Sequence, residues 1–247
     1  MVPTKKSVWG WAMYDWANSA FATTVMAGLF PLFFNQYWSA GADQSLTTAR
    51  LGLANSLASL VVALLAPVLG AIADQGGIRK RLMVLFAYVG ALSTACLYGV
   101  SQGQWLWASF FYIIGNIGFA GANTFYDSML PLVAGRGKVA FVSGLGYALG
   151  YLGGGLLFFI NVLMVLNPGW FFLAEASQAV RWSFLSVGVW WAGFTVLTII
   201  WVPAEKPGVP RRAWTEVVGR GFRQLAGTVR KLRHLKVVAL FLLAYWC

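Results

Sequence analysis

The sequence predicts an all-α integral membrane protein, and three observations carry that prediction. Hydrophobic residues make up 59% of the chain and charged residues only 10%, against about 25% charged in a soluble domain. Mean hydropathy is +0.69. Six apolar runs are long enough to cross a bilayer core, which takes about 20 helical residues. They are Tyr14–Tyr37, Leu51–Ala73, Leu82–Val100, Trp105–Tyr126, Val139–Leu166 and Trp182–Val202. The basic residues fall almost wholly on one side of these runs.

That side holds Lys5 and Lys6, then Arg79, Lys80 and Arg81, then Arg136 and Lys138, and nine more between Pro203 and Lys236. The other side has only Arg50 and Arg181. Lys and Arg accumulate in cytoplasmic loops, so the N-terminus is expected in the cytoplasm. The net charge of +11 is then a topology device, and a nucleic-acid surface is not expected.

The first run is too long, and too interrupted by polar groups, for a signal peptide. It opens "YDWANSAF", which puts a carboxylate and an amide where lipid should begin. On a helix, Asp15, Asn18, Ser19 and Ala22 share one face. Intramembrane carboxylates are costly and turn to a cavity or a partner. Two readings of Asp15 stand side by side: a coupling-ion or substrate contact, or an interfacial tie between helices.

The turn after the second run reads "GAIADQGGIRKR". Gly70 and Ala73 allow close helix approach, and Gly76 and Gly77 permit a tight turn. The fourth run carries Asn116, Asn123 and Asp127 on one face. They either form part of a functional polar face or only hydrogen-bond between helices. The fifth run has Gly146, Gly150 and Gly154 at four-residue spacing, a face suited to close helix packing, with a substrate-contacting floor as the other reading.

Past Pro203, Pro207 and Pro210, apolar residues from Trp214 to Leu232 recur at three- and four-residue steps among Arg220, Arg223, Arg230 and Lys231. That pattern predicts an amphipathic basic helix drawn to anionic lipid on the inner leaflet. A seventh apolar run begins at Val237 and reaches Cys247, the last residue. The expected organisation is a six-helix bundle over residues 1–202, a basic connector over 203–236 and the start of helix seven over 237–247. The chain reads as cut just inside that helix.

Cys96, Cys247 and the one histidine, His234, form no metal or disulfide pattern. No phosphate-binding loop or Ser/His/Asp set is visible, and neither cofactor nor metal is expected.

The 70–81 turn resembles the loop signature of the major facilitator superfamily: a glycine, an aspartate four residues on, then glycine and a basic cluster. Gln75 stands where that family has a basic residue. "YDWANSAF", "FYDSMLPLVA" and "SGLGYALGYLGGGL" are similar to one branch, the autophagy-related vacuolar-effluxer-like family. The resemblance covers the whole chain as the N-terminal half of a 12-helix transporter. It implies alternating-access transport of a small polar solute, an amino acid or related metabolite, with the stripes of helices one and four meeting across a central cavity and with substrate contact or proton coupling at Asp15, Asn18, Asn116, Asn123 and Asp127. It also implies a gating role for Gly70, Asp74, Gly77, Arg79 and Lys80, and substrate binding against the missing six-helix half. A bacterial inner membrane is the expected compartment. Two other readings stay open: a structural or regulatory half-transporter, and an intramembrane enzyme using Asp15 and Asp127.

Overall fold

The computed structural model describes residues 4–75, 77–135 and 137–204, together with Arg223, Gly227 and Arg230. Most of the predicted connector and all of the predicted start of helix seven lie outside these residues. Arg223, Gly227 and Arg230 are helical and exposed.

Among the described residues, six helices are long and apolar enough to cross a membrane. Helix one spans Lys5–Trp38, helix two Gln44–Gln75, helix three Arg79–Cys96 and helix four Trp105–Ala134. Helix five spans Val139–Leu166 and helix six Ala176–Trp201.

Helices one and two start well before their apolar runs because those starts are capped in polar sequence. Helix one starts at Lys5, not Tyr14. Thr4 Oγ1 accepts the Ser7 N–H at 3.1 Å, and Ser7 Oγ accepts the Thr4 N–H at 3.0 Å. That reciprocal pair satisfies two N–H groups that a helix start leaves open. Helix two starts at Gln44, not Leu51, with the Asp43 carboxylate accepting the Leu46 N–H at 2.8 Å.

Helix one is irregular. The turns Phe21–Leu29 and Phe34–Trp38 are π-helical, on either side of Pro31. The Phe30 N–H bonds Val25 O, and the Ser39 N–H bonds Phe34 O at 2.9 Å, each five residues back. Such wide turns are rare inside α-helices and cluster at functional sites.

Helix one packs against helices five and six, helix three lies between four and six, and helix two lies on helix four. The core is aromatic. Phe30 stacks on Tyr112 of helix four at 4.0 Å, and Trp38 on Phe184 of helix six at 5.5 Å. Helices three and four cross where Gly118 meets Gly90. A Cβ added at Gly118 would lie 2.5 Å from the Gly90 Cα. Apolar burial gains nothing between helices in lipid, so close backbone approach and hydrogen bonds must hold the bundle.

Candidate functional site

The site is built where helix one meets helices four and five, in the half of the bundle nearer the basic loops. Asp15 lies ten residues into helix one, about 15 Å along its axis.

Trp11 fixes the helix-four side. Its ring stacks on Tyr126 at 4.1 Å, and its Nε1–H donates to Tyr126 O at 2.9 Å. The Tyr14 ring lies 5.1 Å from that of Tyr126. Asp15 and Asp127 follow these two tyrosines in sequence, on helices one and four. One turn further on, Asn18 Nδ2–H donates to Asn123 Oδ1 at 2.5 Å. Asn18 is fully buried, Asp15 half-buried and Asp127 exposed.

Helix five closes the other side with its glycines. A Cβ at Gly146 would lie 2.8 Å from the Trp11 ring and 2.9 Å from the Tyr126 hydroxyl. One at Gly150 would lie 2.7 Å from Ser19 Oγ and 3.2 Å from Asp15 Oδ2. One at Gly154 would lie 2.9 Å from Ser19 O. Thr23 Oγ1–H bridges the same seam, to Ser19 O at 3.0 Å and Gly154 O at 3.2 Å. The glycine face thus lies directly on the polar stripe of helix one. Ser19 Oγ–H points back to Asp15 Oδ1 at 3.4 Å.

Several polar atoms here are buried without a hydrogen bond: the hydroxyls of Tyr14 and Tyr126 and Nε1 of Trp191. Trp191 Nε1 and the Asn18 amide approach the Tyr14 hydroxyl, but neither completes bonding geometry. Unpaired buried polar groups carry a desolvation cost, so this interior is polar. Tyr14, Tyr126 and Trp191 are the members that sequence reasoning missed. A Tyr–Asp dipeptide in both helix one and helix four was the available signal.

Asn116 does not join the group. Its Nδ2–H donates to Tyr112 O of its own helix at 2.8 Å.

The 70–80 segment sits apart, at the basic end. A side chain at Gly70 would meet nothing within 4 Å, so the close approach expected there is not made within this bundle. Gly77 adopts φ +77°, where glycine is unstrained. The Asp74 side chain lies outside the described residues. Arg79 Nε–H donates to Ala73 O at 2.5 Å, capping helix two. Lys80 Nζ donates to Ile199 O at 2.6 Å and also to Val202 O. A cation on the last carbonyls of helix six satisfies unpaired acceptors and complements the helix dipole. Thr198 Oγ1–H adds a bond to Gly10 O at 2.7 Å, so the ends of helices one, three and six are tied together.

Six spanning-length helices around a buried polar face, among the described residues, define a multi-pass membrane protein. The chain belongs to the vacuole effluxer Atg22-like family, whose model matches residues 44–140 and 136–247. It is 34% identical to "Uncharacterized MFS-type transporter YxiO" of Bacillus subtilis, over 96% of this chain and 55% of that protein. It is 24% identical to "Autophagy-related protein 22" of Yarrowia lipolytica, over 70% of this chain and 41% of that protein. The protein of that name from Saccharomyces cerevisiae is 22% identical, over 98% of this chain and 58% of that protein. No solved structure matches the chain. The chain spans about half the length of the curated relatives it matches. The fold class and family read from the sequence are borne out. The family is one of effluxers and transporters, not of enzymes, and the intramembrane-enzyme reading falls away.

Proposed function

We propose that this chain forms one half of a secondary transporter that moves a small polar solute by alternating access, coupled to protons at Asp15 and Asp127. The observation that carries the reading is the bond that joins Asn18 of helix one to Asn123 of helix four, with Asp15 and Asp127 each about one turn away from it on those helices. A carboxylate pair inside a membrane bundle can hold and release a proton as the cavity opens to either side. Amides and carboxylates together suit a zwitterion, and an amino acid or related metabolite is the proposed substrate. The solute would bind between this bundle and a second six-helix half, which the length of the relatives supports. The basic end would face the cytoplasm of a bacterial inner membrane, with anionic lipid under the connector. The tie from Lys80 to helix six supports a gate at Gly70, Asp74, Gly77, Arg79 and Lys80.

Reconstituted protein and labelled amino acids test this. Uptake is expected to follow an imposed pH gradient and to lose that dependence in Asp15→Asn. Uptake indifferent to both gradient and mutation would return Asp15 to a structural tie. Absence of uptake for every amino acid would remove the substrate assignment.

A further inference from the structure

The turn between helices five and six presents aromatic side chains outward from a rigid frame. It runs Asn167–Pro168–Gly169–Trp170–Phe171–Phe172–Leu173. Three backbone bonds fix it: Trp170 N–H to Asn167 O at 3.1 Å, Phe172 N–H to Gly169 O at 3.3 Å and Leu173 N–H to Pro168 O at 3.1 Å. Trp170 is 72% exposed and Phe172 99% exposed. Phe172 also stands at φ +59°, a left-handed conformation disfavoured for a bulky side chain. No packing within the bundle repays that conformation, because the ring touches almost nothing.

We propose that this turn is an interfacial anchor, and that its partner is the headgroup–acyl boundary of the leaflet at the end opposite the basic loops. Two spanning helices end at the turn, so it must lie at the membrane surface. Tryptophan and other amphipathic rings favour that boundary. From Asn167 to Ala174 there is no charged side chain, so the aromatic tip itself can be partly buried without calling for anionic lipid, while the exposed Glu175 that follows stays on the water side. Other large residues ring the same end: Leu106 and Trp107 open helix four at 63% and 57% exposure, and Trp182 on helix six is 42% exposed. The other turns at this end, "SAGAD" and "SQGQ", carry no aromatic residue. The anchor is therefore local to the mouth of helices five and six.

The test uses the intact protein with Cys96→Ala and Cys247→Ala, in nanodiscs of zwitterionic phosphatidylcholine. Phe172→Cys carries an environment-sensitive fluorophore, and Ala40→Cys in the neighbouring turn serves as the water-exposed reference. The anchor requires a blue-shifted emission at position 172. It also requires strong quenching by shallow nitroxide lipid and weak quenching by aqueous iodide. Iodide quenching equal to that at position 40 would overturn it in favour of a solvated turn. Protection from both quenchers would overturn it in favour of a protein partner, either further transporter sequence or a second copy. Substitution at an exposed residue that touches nothing leaves the bundle intact.

Discussion

Two of the glycine seams in this bundle enclose different things. Between helices three and four, Gly118 faces bare backbone: a Cβ there would meet the Gly90 Cα and N at 2.5 and 2.6 Å and Phe86 O at 2.8 Å. Between helices one and five, Gly150 faces side-chain oxygens of Ser19 and Asp15 at 2.7 and 3.2 Å. Close approach is the device in both. In the first it locks two helices by their backbones. In the second it leaves a carboxylate and a hydroxyl in contact with an otherwise bare helix. The first seam is structural, and the second brings titratable chemistry into the bundle.

Gly118→Val should break the comparison on the structural side. The added atoms meet backbone that cannot step aside, so the cost should reach or exceed the upper end of the about 1–3 kcal/mol of overpacking. Loss of a monodisperse peak in detergent size-exclusion chromatography is the readout. A well-folded Gly118→Val protein would show that helices three and four can part without harm.

Gly150→Ala should be milder and more telling. Its methyl meets Ser19 Oγ, a rotatable atom, so a cost near about 1 kcal/mol is expected and the protein should still fold. Because the methyl also presses on Asp15, gradient-driven uptake should fall while folding is kept. Undiminished transport in this variant would show that the seam tolerates a change in Asp15's surroundings.

The two seams also differ in how far the sequence reveals them. Gly146, Gly150 and Gly154 repeat every four residues, and repetition on one helix is visible in a string. Gly90 and Gly118 are single glycines on different helices, and only the fold makes them neighbours. The same contrast runs through the site. Six apolar runs, their order and their interrupting Asp and Asn residues were readable, because lipid forbids casual polarity. Asn18 meeting Asn123 was not, because it needs the crossing of helices one and four. Nor were the wide turns of helix one, where Thr23 shares its hydroxyl with Gly154 O across the seam. Helix ends were misjudged for a simpler reason. Hydropathy marks where lipid begins, while capping decides where the helix begins, so Lys5 and Gln44 lie well before the apolar runs.

Capping at Gln44 yields the smallest effect. Asp43 is fully exposed, and it accepts hydrogen bonds from Ser45 Oγ at 2.7 Å and from the Leu46 N–H at 2.8 Å. Those bonds, the hydroxyl first, hold its carboxyl below the usual carboxylate range. A depressed folded-state pKa means that the cap's contribution is complete above the ordinary Asp value, about 3.9. That contribution fades as pH falls through the lower folded value. The first turn of helix two should therefore lose hydrogen-exchange protection in strong acid, after correction for intrinsic exchange. Asp43→Asn, which caps without a charge, should keep that protection nearly constant with pH. Equal pH profiles in the two proteins would mean that the Asp43 charge contributes nothing to the helix start. In either case both glycine seams should be unaffected, since Asp43 touches neither.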